Sequence, residues 1–187
     1  MQGKLWTISN ALSISRIMLM APVVYFFLTP MNHNREYAVF FTLLAVTTDA
    51  LDGYFARLLN QESEIGRVID PLADKIGVGI VVVLLVYFGD IPLWFAGAIL
   101  LRDALIFCGG VIVKLRKGII LPPNMPGKIA VSFVALTLVL AMVHYRIFFV
   151  LMQFSLWTSV AFLLLSFALY IKRFYLVMKT TPDGVNP

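Results

Sequence analysis

The chain has 187 residues, 60% of them hydrophobic and only 13% charged, with a mean hydropathy of +0.90. A soluble domain of this length carries about twice that charged fraction, so a soluble globular protein is excluded and a single integral membrane domain, 1–187, is expected. The net charge of +5 suits anionic headgroups or phosphate-bearing substrates and requires no nucleic acid, and a lone cysteine, Cys108, excludes an internal disulfide.

Residues 1–10, with Lys4 and Trp6, read as a short interfacial segment. The apolar run 11–29 predicts a first helix that is retained rather than cleaved, because Arg16 interrupts it and further apolar runs follow. Pro22 predicts a kink within it, and Asn10, Ser13 and Arg16 share one of its faces at three-residue spacing. After a polar turn at 30–36, helices are predicted over 37–59, 66–88, 92–113, 128–145 and 149–171. A loop at 60–65, a tight turn at 89–92 and a basic loop from Lys114 to Lys128 separate them, and a tail at 172–187 is expected to fray. Six spans of about 20 residues match a bilayer. The predicted fold class is therefore all-α integral membrane, with six transmembrane helices behind a short interfacial segment.

The basic residues predict an orientation. Lys4, Arg16, Arg57, Arg67, Lys75, Lys114, Arg116, Lys117, Lys128, Lys172, Arg173 and Lys179 fall on or near one side, with Arg35 and Arg146 on the other. This asymmetry places both termini at the cytoplasmic face.

Four carboxylates stand out in this apolar chain. Asp49 and Asp52 share a helical face with Ala56 and lie beside Gly53, with Arg57 following; Gly66, Asp70 and Asp74 share a face at four-residue spacing on the next helix. Brought together in a low dielectric, four anions repel one another unless cations neutralise them. All-oxygen ligands suit Mg²⁺, Mn²⁺ or Ca²⁺ rather than Zn²⁺. Helix capping or ion pairing with Arg57 and Arg67 explains one such aspartate more readily than four at this spacing. Gly53, Ala56 and Gly66 let helices, or a ligand, approach closely.

The pattern D-x2-D-G-x2-A-R-x8-G-x3-D-x3-D resembles the signature of the CDP-alcohol phosphotransferases (CDP-alcohol phosphatidyltransferases) at every motif position. The outer parts of the chain resemble, more loosely, the bacterial phosphatidylglycerophosphate synthase branch. The resemblance implies that Asp49, Asp52, Asp70 and Asp74 reach a pair of divalent cations, Mg²⁺ or Mn²⁺, and that Asp74 is the candidate general base. It implies CDP-diacylglycerol binding by Asp52, Gly53, Ala56, Arg57 and Gly66. Homodimers are common in the family, so one is an expectation here.

Arg102 and Asp103 lie mid-span, where an arginine needs a partner or a wet cavity. Adjacent helical positions point about 100° apart, which predicts that these two do not simply pair with each other. Arg102 and Lys128 are candidates for an acceptor-phosphate pocket, with Arg116, Lys117 and Arg173 as further members; ordinary cytoplasmic-side charges account equally well for each of the last three. His33 and His144 fall in turns on the opposite side, too far from the carboxylates to serve as ligands.

The resemblance implies transfer of a phosphatidyl group from CDP-diacylglycerol to an alcohol with release of CMP, in phospholipid synthesis. Glycerol 3-phosphate, giving phosphatidylglycerol phosphate, is the expected acceptor. Asp103 stands where the bacterial synthases usually carry Glu, and residues 127–133 lack the Thr that commonly follows Gly-Lys in that branch. These departures leave phosphatidylglycerol (a cardiolipin synthase), inositol phosphate and serine open. A divalent-cation transporter would need polar positions running to the far side, and the acids stop near one face.

Overall fold

A computed structural model of the chain describes the backbone of residues 8–59, 66–119, 122 and 124–180, and side chains at 15, 18–48, 75–119, 122 and 124–179. Among the described residues the elements are all helical. They run α1 (Ile8–Leu28), α2 (Asn34–Leu59), α3 (Gly66–Tyr87), α4 (Leu93–Lys117), α5 (Met125–Val143), a 3-10 turn at Arg146–Phe148, and α6 (Phe149–Thr180). Of the expected interfacial segment at 1–10, residues 8–10 instead open helix α1, and residues 1–7, like the expected loop at 60–65, lie outside the described residues.

Three helical stretches are long and apolar enough to cross a membrane: Leu93–Lys117, Met125–Val143 and Arg146–Lys179, with mean hydropathies of 1.9, 2.0 and 2.0. Met18–Leu28 and Lys75–Tyr87 are shorter apolar stretches of α1 and α3 among the described residues. Large apolar side chains such as Leu100, Leu101 and Phe107 on α4 and Phe154 and Leu164 on α6 are exposed. In water such surface would be costly; against lipid it costs nothing.

The residues group into two compact units, one comprising residues up to Asp90 with Met142–His144, the other Ile91–Ala141 with the residues from Tyr145 onward. In the first unit, α1 packs against both α2 and α3. Met20, Val23 and Phe27 recur at helical spacing and are buried, as are Val81, Val82, Leu84 and Leu85 of α3. On α2 the buried stripe is Ala38, Thr42 and Ala45, small side chains that allow close helix approach. The Thr42 hydroxyl donates to the Ala38 carbonyl at 2.9 Å, so it carries no unmet polarity into the interface.

The turn after α3 contains Gly89 at φ +75°, a left-handed conformation that glycine adopts without Cβ strain. It delivers Asp90, whose side chain is only 2% exposed, to the Arg35 guanidinium, which also lies over the Phe27 and Phe88 rings at 4.8 and 5.4 Å. His144 Nδ1 sits 2.7 Å from the other Asp90 oxygen, within ion-pair distance but without hydrogen-bond alignment. Sequence reasoning placed the turn at 89–92 but did not foresee this largely buried Arg35–Asp90 pair. Arg35 and Asp90 are 55 positions apart, and only packing reveals the pair.

In the second unit, α4 packs on α6, and α5 meets α6 through hydroxyls. Ser155, Ser159 and Ser166 of α6 are fully buried along one face. The Thr137 and Ser155 hydroxyls lie 2.9 Å apart and both reach the Phe133 carbonyl, at 2.8 and 3.0 Å. Small hydroxylated residues thus allow close packing while their polar atoms are satisfied inside the protein.

Several boundaries differ from expectation, among them the starts of α1 and α2, each three residues earlier, at Ile8 and Asn34. Lys114, Arg116 and Lys117 form the last turn of α4 rather than a loop, because Gly118 at φ +67° caps the helix there and cations favour its carboxyl end. Helix α5 begins at Met125 rather than 128: Asn124 Oδ1 accepts the Gly127 N–H at 2.8 Å as an N-cap, and Pro126 is tolerated in the first turn. Helix α6 runs on through Lys172 and Arg173 to Thr180, since the apolar pattern resumes at 174–178.

Asp90→Ala leaves Arg35 without its carboxylate in a mostly buried position. The expected cost is about 3 kcal/mol or more, a fall in Tm of roughly 6 °C or more, read by thermal melting in detergent. A shift below roughly 2 °C contradicts the assigned importance of the pair.

Candidate active site

The aspartate motif falls on helical backbone at each of its positions. Asp49, Asp52, Gly53, Ala56 and Arg57 occupy the carboxyl-terminal part of α2, and Gly66, Asp70 and Asp74 the amino-terminal part of α3. The i, i+3, i+7 and i, i+4, i+8 registers expected from the sequence therefore hold in the backbone. The motif side chains lie outside the described residues, as do those of Asn10, Ser13 and Arg16 on α1. By residue type, aspartates offer only oxygen donors, the chemistry that hard divalent cations take.

The second unit contains a cavity of about 510 Å³, lined by α4, α5, α6 and the segment before α5. Arg102 and Lys128 both line it, so two of the predicted acceptor-pocket cations come together. Arg116 is exposed and Lys117 largely buried at the end of α4, and neither lines this cavity. Arg173 is exposed, and among the described residues it reaches the Pro122 carbonyl, at 3.4 Å, on the cavity's margin.

Arg102 does pair with its neighbour, contrary to the expectation from helical geometry. Its Nη1 donates to Asp103 Oδ1 at 2.7 Å. The Cα–Cβ directions diverge, but the long arginine arm bends round the helix, and a guanidinium in apolar surroundings strongly favours the nearest carboxylate. Nη2 donates to Ser166 Oγ at 2.7 Å, while Nε is buried with no hydrogen-bond partner among the described residues.

Sequence reasoning missed Asn124, Ser166 and Tyr170. Asn124 had a readable signal, a capping residue just before an apolar run. Ser166, a single hydroxyl in an apolar stretch, had none. Tyr170 forms one wall of the cavity, its hydroxyl donating to the Ile106 carbonyl at 2.9 Å. It packs against Gly109, where a Cβ would stand 2.9 Å from the Tyr170 hydroxyl.

Gly127 sits at the centre of the polar network. A Cβ there would lie 2.7 Å from Asn124 Oδ1 and 2.9 Å from both Arg102 Nη2 and Ser166 Oγ. Gly127→Ala is expected to be destabilising: overpacking costs about 1–3 kcal/mol, which exceeds the helix-propensity gain of at most about 1 kcal/mol. A Tm equal to or above that of the parent protein would show that the network can give way.

The family model for CDP-alcohol phosphatidyltransferase matches residues 6–179. The chain is 29% identical to the CDP-diacylglycerol--glycerol-3-phosphate 3-phosphatidyltransferase of Bacillus subtilis, over 95% of this chain and 100% of the relative. It is 34% identical to the protein of that name from Aquifex aeolicus, over 70% and 72% of the two chains. It is 41% identical to the human cardiolipin synthase (CMP-forming), over 59% of this chain and 36% of that relative. With the motif complete on α2 and α3 and the family match running nearly end to end, the chain belongs to the CDP-alcohol phosphatidyltransferase family.

Proposed function

We propose that this enzyme transfers the phosphatidyl group of CDP-diacylglycerol to glycerol 3-phosphate, giving phosphatidylglycerol phosphate and CMP. The observation that carries the choice of acceptor is the cavity bearing Arg102 and Lys128, whose size and charge suit a small phosphorylated alcohol. The name and full-length match of the Bacillus subtilis relative support it.

In this reading Asp52, Gly53, Ala56, Arg57 and Gly66 receive the cytidine diphosphate end of the donor. Its acyl chains stay in the bilayer, so the lipid arrives without crossing water. Two divalent cations, Mg²⁺ or Mn²⁺, held by Asp49, Asp52, Asp70 and Asp74 would neutralise the charge that develops on the phosphate oxygens. Arg102 and Lys128 bind the acceptor's phosphate, and the group that reacts is its free hydroxyl. The hydroxyl oxygen bonds to the lipid-side phosphorus as that phosphorus loses its bridging oxygen to CMP. Asp74 accepts the hydroxyl proton. A carboxylate is too weak a base to ionise an alcohol beforehand, so proton loss accompanies bond formation.

The proposal extends to architecture. The family match over 6–179 supports a single domain. Six spans, with both termini and the aspartate motif on the cytoplasmic side, agree with the distribution of basic residues and with the availability of CDP-activated substrates there. A homodimer in the bilayer completes the reading by resemblance.

A second reading, a cardiolipin synthase using phosphatidylglycerol as acceptor, is favoured by the 41% identity to the human enzyme. CMP release by the purified protein, with acceptors offered singly, separates the two. Glycerol 3-phosphate as the productive acceptor is expected; activity with phosphatidylglycerol alone overturns the choice. Chelation is expected to abolish CMP release and Mg²⁺ or Mn²⁺ to restore it. Asp70→Asn is expected to lower kcat by about 10²–10³-fold, and full activity in that variant would overturn the metal assignment.

A further inference from the structure

We infer that Ser166 and Asn124 are positioning residues that set the direction of the Arg102 guanidinium and thereby the affinity for the acceptor's phosphate. The inference rests on reading the Arg102–Lys128 cavity as the acceptor site.

The starting point is the backbone. The Gly127 N–H can only donate, and it lies 2.8 Å from one end of the Asn124 amide, which makes that end the oxygen. The amide nitrogen at the other end donates to the Ser166 carbonyl at 2.9 Å. Asn124 is thus held at both ends, by the first turn of α5 and by the backbone of α6, and is only 8% exposed.

The Asn124 oxygen then dictates the serine. Ser166 Oγ lies 2.7 Å from it, and an amide oxygen can only accept, so the single hydroxyl proton is committed to Asn124. Only lone pairs remain on Ser166 Oγ. Arg102 Nη2, which can only donate, meets them at 2.7 Å. Each link permits one polarity, so the network has one arrangement. Asp103 holds Nη1 from the other side, and the plane of the guanidinium is fixed at two nitrogens. Among the described residues, one further N–H on each of these nitrogens is left for a ligand, in a residue that lines the cavity.

Gly127 makes the network possible, since a Cβ at that position would meet three of its atoms within 2.9 Å. Fully buried Ser166 has no contact with solvent through which it could be exchanged for water. Without its hydroxyl the guanidinium would have to be ordered by the phosphate itself, and that ordering weakens acceptor binding without altering the donor end of the reaction.

The test uses the full chain in detergent, with glycerol 3-phosphate varied at saturating CDP-diacylglycerol. Ser166→Ala is expected to raise KM for glycerol 3-phosphate by about tenfold, with kcat and the KM for CDP-diacylglycerol within about twofold of the parent. Ser166→Cys, nearly isosteric but a weak acceptor, is expected to shift KM in the same direction and serves if the alanine variant does not fold. Arg102→Lys is expected to raise the same KM, and in that background Ser166→Ala should add less than about twofold.

A rise in KM with Arg102→Lys but none with either serine variant overturns the inference and leaves the acceptor assignment standing. So do equal Ser166→Ala effects in both backgrounds, or a uniform loss of kcat and of both affinities. An unchanged KM for glycerol 3-phosphate in Arg102→Lys overturns the acceptor assignment of the cavity and the inference with it.

Discussion

Among apolar surroundings, a polar group that finds no partner inside the protein finds none elsewhere. That constraint shapes most of the described features of this chain, with the buried Arg102 Nε an exception. Backbone polarity is absorbed by helices of 19 to 32 residues. Thr42 bonds back to its own helix, and Thr137, Ser155 and Ser159 direct their hydroxyls to carbonyls or to each other. The outer faces of α4 and α6 carry large apolar side chains instead. Large apolar side chains therefore occur both inside, as with Phe27, Leu85 and Phe95, and on the outer faces, while small and hydroxylated residues make some of the close helix contacts.

The same constraint explains why the charges occur in groups. Arg35, Asp90 and His144 converge from the start of α2, the turn after α3 and the end of α5, and two aromatic rings cover the guanidinium. Arg102 is met by Asp103 and Ser166. An isolated guanidinium among apolar helices is costly, so each arginine is held by partners: Arg35 by the distant Asp90, Arg102 by its neighbour Asp103 and the distant Ser166. In the first cluster the Arg35–Asp90 pair is mostly covered, which suits a structural tie, while the His144 side chain stays exposed. In the second, the Arg102 side chain lines a cavity that Lys128 also faces, which suits recognition of an anion.

The aspartate motif and the cavity were unequally legible. Asp49, Asp52, Asp70 and Asp74 are readable because helical registers are local: once α2 and α3 are helices, spacing alone puts these residues on shared faces. Arg102 and Lys128 were readable as candidates because a cation in an apolar run demands a reason. Ser166 and Tyr170 were not, because a hydroxyl inside an apolar helix carries no local mark of what it touches. Arg116 and Lys117 illustrate the opposite error. Their charge argued for a loop, yet a glycine in the left-handed conformation one residue later lets the helix carry them to its end.

By itself the sequence determined the all-helical class, the membrane-type composition, the order of the helices to within a few residues, and the eight-residue motif that marks the family. These follow from composition and from periodicities that span a few turns. The tertiary structure alone decided that Arg35 ties to Asp90, that Arg102 reaches Ser166 besides its neighbour Asp103, and that Asn124, a legible cap for α5, also reaches α6. It also decided that Gly127 is a glycine for want of space rather than for its backbone angles. Such contacts join residues up to 64 positions apart. They depend on where side chains meet after the helices pack, and no local pattern in the chain encodes that meeting.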